Sequence, residues 1–185
     1  MWPLYQSMPT KDRKHIDSVK LICGLIYSDL DILREATKKL TKAFGPLDHE
    51  SDVFDFDHTD YYKTEMGDYL IRKFISFEKL FHPGKLSEIK LRAIDIEKDF
   101  SEEREGEYFR KINIDPGYME LSKLVLASTK NYSHRIYLEK GIYAEITLVF
   151  RDNKFKYLPW TYPDYVDPRA LNFLEATRNI YKEQL

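Results

Sequence analysis

The pattern that stands clearest of its surroundings is VKLICGLIY, Val19–Tyr27, apolar at nearly every position past Lys20. A short run without alternation reads as a strand covered on both faces, and therefore as a central strand of a sheet. Ser28 and Asp31 follow at capping-box spacing, and Leu30, Leu33, Leu40 and Phe44 fall on one helical stripe. Gly45-Pro46 closes that helix, because glycine tolerates the left-handed cap and proline cannot continue. Alternation over Asp52–His58 and the run LIRKFISFE, Leu70–Glu78, predict two more strands. Pro83 opens a second helix, with Leu86, Ile89, Ala93, Ile96 and Phe100 three and four apart. The charged run SEEREGE reads as a solvated loop. FRKINID, Phe109–Asp115, predicts a fourth strand with Ile112 and Ile114 turned inward and Lys111, Asn113 and Asp115 turned away.

The resulting order, β-α-β-β-α-β, is the split arrangement of ferredoxin-like α+β domains. The remainder predicts a short helix over Tyr118–Ser128 and then a β-meander. In IYAEITLVF, Ile142, Ala144, Ile146, Leu148 and Phe150 share one face, and Asp152-Asn153 turns the chain into KFKYL. Asp167 caps and Pro168 opens a terminal helix with Leu171, Leu174 and Tyr181 as its inner stripe. The expected architecture is a single α+β domain over residues 19–185: a ferredoxin-like core with a C-terminal β-meander and a terminal helix. Residues 1–18, polar and proline-interrupted, are expected to form a flexible N-terminal arm.

Length and composition agree with this picture. At 185 residues, 43% apolar and 32% charged, the chain can bury a full core as one domain. Lys plus Arg number 29 against 31 Asp plus Glu. That balance argues against nonspecific nucleic-acid binding, which needs a surplus of cations to displace counterions. Cys23 is the one cysteine, so neither an internal disulfide nor a cysteine-based zinc site can form. No apolar stretch approaches the roughly 20 residues that span a bilayer. The opening residues lack an apolar core followed by a small-residue cleavage site. The expectation is a cytoplasmic protein without membrane association.

Four segments carry candidate chemistry. In DFDHTDYYKTEMG, Asp57 and Asp60 are candidate ligands for a divalent metal, with Tyr61 beside them. Its spacing fails as a calcium loop, because Asp60 stands where the turn glycine belongs and Met66 where the last glutamate belongs. Solvated carboxylates at a strand end are the plainer reading. In NIDPGYMELSK, Asp115 before Pro116 suits a helix N-cap, and the same helix start could hold an anion with Lys123 nearby. In SHRIYLEKGIYAE, pairing across the Gly141 turn brings His134 and Arg135 towards Glu145, as an acid–base group or as a cross-strand ion pair. In PWTYPDY, two prolines restrain Trp160, Tyr162 and Tyr165 as an aromatic wall that either stacks a ring or closes the core. The chain holds no phosphate-cradling G-x-x-x-x-G-K-[ST], no G-x-G-x-x-G, no G-x-S-x-G and no H-E-x-x-H.

Taken in order, VKLICGLIYSD, FDFDHTDYYKTEMG, NIDPGYMELSKLVLAS, HRIYLEKGIYAE and PWTYPDY resemble a bacterial and archaeal family, domain of unknown function 4416. The likeness runs from about Val19 to Leu185 and implies a single-domain prokaryotic cytoplasmic protein, with no established activity. Its motif segments coincide with the four candidate segments; if these share one cleft, Asp57, Asp60, Tyr61, Asp115, His134, Arg135, Glu145 and Trp160 would converge there. The leading expectation is a small-molecule enzyme or binding protein for an anionic, phosphate- or nucleotide-like ligand. There His134, Glu145 and Asp115 would do acid–base work in a hydrolytic or phosphotransfer step. Arg135, Lys123, Tyr61, Trp160 and Tyr162 would hold the ligand, and Asp57 and Asp60 a divalent metal. The alternatives are a non-catalytic RNA- or protein-binding module and a scaffold that forms a homodimer through an exposed sheet face.

Overall fold

Val19–Tyr27 forms strand β1, buried at every position, and its place in the sheet explains why. The computed structural model describes residues 17–104 and 106–185, so most of the expected N-terminal arm lies outside the described residues. After β1 come α1 (Leu30–Phe44), β2 (Leu47–Glu50), β3 (Phe54–Asp55), α2 (Lys63–Met66), β4 (Ile71–Phe81) and α3 (Leu86–Lys98). Then follow β5 (Glu102–Arg104), β6 (Glu107–Phe109), β7 (Ile112–Glu120), β8 (Lys123–Ser128), β9 (Ile136–Glu139), β10 (Ile142–Arg151), β11 (Lys154–Tyr157) and α4 (Pro168–Gln184). The result is an α+β fold built on one large antiparallel sheet and closed by a terminal helix. Its strand order is β11-β10-β8-β7-β1-β4-β2, with β3 beside β4 and β9 beside β10. β1 is held between β7 and β4, so both its edges and both its faces are covered.

The two faces bury different partners. Leu21, Cys23, Leu25 and Tyr27 point to one side with Ile75, Phe77, Ile112 and Ile114, against Ala36 and Leu40 of α1 and Ile89, Ala93 and Ile96 of α3. Ile22 points to the other side with Phe74, Met119, Leu124 and Leu148, against Tyr165 and the α4 residues Ala170, Phe173 and Leu174. α4 starts as its sequence dictates, with the Asp167 carboxylate accepting the Arg169 N–H and Pro168 at the first turn. Among the described residues no helix is long and apolar enough to cross a membrane.

Several local expectations are corrected. The α1 cap is Asp29, whose carboxylate accepts the N–H groups of Asp31 and Ile32, and Leu30 is exposed. The strand expected over Asp52–His58 shrinks to Phe54–Asp55, because pairing with β4 breaks after Glu50 and resumes only at Phe54. Within SEEREGE, Glu102–Arg104 and Glu107 are not loop but strand, paired in the β5–β6 ladder. The helix expected over Tyr118–Ser128 is the β7–β8 hairpin, joined at Leu121-Ser122. Pro116 and Gly117 mimic a helix start but lie inside β7, where a Cβ on Gly117 would stand 2.4 Å from the Val125 carbonyl oxygen. Finally, β10 does not keep one apolar face. A bulge between Ile146 and Leu148 turns Ile142 and Ala144 towards the α3 side and Leu148 and Phe150 towards α4.

Candidate functional site

β7 and β8 pair only from Gly117 opposite Leu126 to Glu120 opposite Lys123. Before Gly117, β7 stays paired with β1; after Leu126, β8 stays paired with β10. The sheet therefore opens between residues 112–116 and 127–128, with Pro116, which has no N–H to share, at the fork. A cleft of about 580 Å³ occupies this opening on the α4 side, beyond the part of the face that α4 covers. Its lining carries five lysine and arginine side chains, Arg72, Lys90, Arg110, Lys130 and Arg135, with His58, against three carboxylates, Asp115, Glu145 and Asp164.

Arg72 forms the floor. It shares its β4 face with Phe74, and its side chain is only 1% exposed. Room for the guanidinium comes from Gly24 on β1, where a Cβ would sit 2.6 Å from Nη2. The guanidinium carbon lies 4.6 Å from the Phe74 ring centre and 5.1 Å from that of Tyr165. Nε is 2.9 Å from Asp164 Oδ2, and Nη1 is 3.6 Å from Asp115 Oδ2. The first distance would suit a hydrogen bond, yet neither Nε nor Nη1 makes one. Direction decides, since a donor not aimed at its acceptor gains charge attraction but leaves its N–H unsatisfied. The buried Tyr165 hydroxyl beside it also has no partner. Burial works against the Arg72 charge, but Asp164, Tyr165 and Asp115 hold its pKa above the ordinary value. Burial pushes the Asp164 carboxyl up despite the pull of Arg72, and pushes Tyr165 up further.

Next to the floor, Asp115 opens into the cleft. Asn113 Nδ2 donates to its Oδ2 at 2.8 Å, and Lys90 Nζ stands 3.6 Å from Oδ1 while donating to the Ile114 carbonyl at 2.7 Å. Lys90 reaches from α3, on the opposite face of the sheet, into the opening. Arg110 does the same from the loop before β7, forked onto Glu65 with Nε–Oε1 at 2.6 Å and Nη2–Oε2 at 2.8 Å. Burial opposes the Glu65 charge, but the fork prevails and lowers its pKa. Glu97 on α3 accepts the Ile114 N–H at 2.6 Å. Its burial prevails over Lys90, that N–H and Arg110, and raises its pKa.

The far wall is built on Glu145 of β10, which is buried and accepts from Arg135 Nε at 2.6 Å. His134 Nε2 lies 3.0 Å from the same carboxylate, and its ring stacks on Trp160 at 4.9 Å. Arg135 also donates to Ser128 Oγ at 2.7 Å and to the Tyr162 hydroxyl at 3.1 Å. Glu145 and Arg135 are thus both engaged by several neighbours.

A family described as Domain of unknown function (DUF4416) matches residues 17–181. The chain belongs to the DUF4416 family. No curated protein and no solved structure matches it. All residues lining the cleft fall inside the DUF4416 match, whose description carries no activity.

Of the residues singled out from sequence, Asp115, Tyr61, Arg135, Glu145, Tyr162 and Tyr165 line this cleft. His134 and Trp160 stand behind Glu145 as its support and do not line it. Lys123 is displaced: it lies at the closed end of β8, paired with Glu120. The expected anion site at a helix start disappears with that helix, since Asp115 is a mid-strand residue. Asp57 and Asp60 are exposed, Asp60 pairs with Lys63, and neither lines the cleft. Among the described residues no group of three or more His, Cys, Asp or Glu is placed to hold a metal ion. Sequence reasoning missed Arg72, Lys90 and Asp164. One signal was present: Gly24, without a side chain, interrupts the apolar run that Arg72 packs against.

Proposed function

We propose that this DUF4416 protein binds a small anionic molecule in the cleft, with Arg72 as the anchor of its negative group. The observation that carries this reading is a buried guanidinium with two unsatisfied nitrogen donors at the floor of a cleft. A buried unsatisfied donor costs roughly 1–3 kcal/mol, more on a charged group, and an arriving oxyanion removes that cost. The Tyr165 hydroxyl adds a neutral donor beside it. The volume, about 580 Å³, lies within the roughly 300–1,000 Å³ usual for small-molecule sites. Asp115, open to the cleft between Arg72 and Lys90, is the carboxylate placed to accept a ligand hydroxyl or a proton. Glu145 and Arg135, with His134 behind them, form the opposite wall.

Two further expectations join this reading. We assign the core to the ferredoxin-like class, supported by the order β7-β1-β4-β2 and by α1 and α3 packed on one face. A cytoplasmic location is supported by the lone buried thiol of Cys23.

The test is a thermal-shift screen of the full chain with inorganic phosphate, sugar phosphates, nucleotides and short RNA. It is repeated for Arg72→Met, for Gly24→Ala, which keeps the arginine but crowds its guanidinium, and for Asp57→Ala. Binding to the folded state raises the melting temperature by mass action. A rise with small anions in the wild type and Asp57→Ala, reduced in Gly24→Ala and lost in Arg72→Met, is the expected outcome. A rise that survives Arg72→Met, or a rise with RNA alone, overturns the reading.

A further inference from the structure

The cleft changes character from floor to mouth. At the floor are the buried Arg72 donors; at the mouth stand Tyr61, Tyr132 and Tyr162, exposed by 58%, 49% and 44%. The mouth residues come from separate segments. Tyr61 precedes α2, Tyr132 lies between β8 and β9, and Tyr162 leads into the turn before α4. They nevertheless gather around one opening, joined by cations that sit on their rings. Lys130 Nζ lies 3.9 Å from the Tyr61 ring centre, and the Arg135 guanidinium carbon 4.5 Å from that of Tyr132. Arg135 is fully committed to Glu145, Ser128, Lys130 and Tyr162. Lys130, by contrast, makes no ion pair among the described residues, and a ring face is its side chain's only partner there. Exposed aromatic faces are costly to leave in water, and a bare phosphate at Arg72 would leave both these rings and most of the volume unfilled.

We infer that the mouth is a ring-binding subsite, and that the ligand is a phosphate or carboxylate joined to a planar aromatic ring. Its anion lies on Arg72, and its ring lies against Tyr61 and Tyr132 under the Lys130 ammonium. A nucleoside monophosphate and an aryl phosphate both have this shape. Stacking supplies ring affinity without reading the ring's edge, and the ammonium supplies a second attraction to its π face. This inference rests on the anion-binding reading of the floor, and the two can fail separately.

Calorimetric titration of the full chain with inorganic phosphate, phenyl phosphate and AMP tests it. Tyr61→Ala and Tyr132→Ala are made at exposed positions that the core does not use. The wild type is expected to bind phenyl phosphate and AMP at least tenfold more tightly than phosphate. Each tyrosine variant is expected to lose roughly tenfold towards the ring-bearing probes, and far less towards phosphate. Equal affinity for all three probes overturns the ring subsite and leaves the anion site standing, as do tyrosine variants that weaken every probe alike. Failure of all three to bind overturns both.

Discussion

Two buried cations lie on the α4 side of the same sheet, and they are treated very differently. Lys20, 0% exposed, is paired with the Asp48 carboxylate and donates to Gln184 Oε1 at 2.8 Å. Asp48 is itself held by the Ser76 hydroxyl at 2.6 Å. Arg72, 1% exposed, has Asp164 and Asp115 within ion-pair reach, yet its Nε and Nη1 make no hydrogen bond. Lys20 sits at the end of β1 that Gln184 of α4 covers, whereas Arg72 sits at the end where the sheet forks and a cleft begins. The satisfied cation ties the terminal helix to the sheet. The unsatisfied one is the anchor of the proposed anion site. Burial does not distinguish these two cations; their hydrogen bonding does.

The largest effects are expected at Arg72 itself. Arg72→Met is expected to abolish anion binding and to destabilise the fold by about 3–5 kcal/mol, because Asp164 is left buried without its cation. Adding Asp164→Leu is expected to restore most of that stability and none of the binding. Urea denaturation and calorimetry on the same samples check both halves. The counterpart, Lys20→Met, is expected to cost about 2–3 kcal/mol through the lost charged hydrogen bonds, with anion affinity unchanged. A fall in anion affinity there would erase the distinction between the two ends.

Gly24→Ala perturbs Arg72 without deleting a charge. The new Cβ would fall 2.6 Å from Arg72 Nη2, so the guanidinium must shift. A stability loss of about 1–3 kcal/mol is expected, together with a weaker anion response. The smallest effect is a slope. Glu97 has a raised pKa in the fold, chiefly from burial, so the native state holds its proton more tightly than the unfolded chain. Its contribution to stability is therefore fullest below the ordinary carboxyl value, near pH 4. It declines as pH climbs to the raised native value. Glu65 has the opposite sign: its pKa is lowered, because the Arg110 fork outweighs burial. Its contribution is present above about pH 4 and is lost as pH falls through the lowered native value. Urea midpoints of Glu97→Gln and Glu65→Gln across this range should differ from the wild type with opposite slopes.

Legibility in the sequence followed how locally each feature is determined. β1 could be read because a strand dry on both faces leaves no polar position to confuse it. The α4 start could be read because Asp167-Pro168 is a self-contained signal, and the Asp152-Asn153 turn because both residues adopt the left-handed backbone that asparagine and aspartate tolerate. The β7–β8 hairpin could not, because Asp115-Pro116 is an equally good helix start until β1 claims the segment as its neighbour. The bulge after Ile146 left no local mark. In the site, Glu145 with His134 and Arg135 was legible because one hairpin brings them together. Arg72 was not: in LIRKFISFE it looks like a solvent-facing strand residue. Only distant segments, Gly24, Asp115 and Asp164, reveal that it is buried. The tyrosine mouth is likewise assembled from three loops that no spacing rule connects.

The most direct test of the central claim is a crystal structure of the wild-type chain soaked with selenate, an oxyanion whose selenium scatters anomalously. An anomalous peak within hydrogen-bonding reach of Arg72 Nη1 and the Tyr165 hydroxyl is the expected result. Selenate bound elsewhere on the protein, with the space above Arg72 empty, would contradict an anion site at the cleft floor.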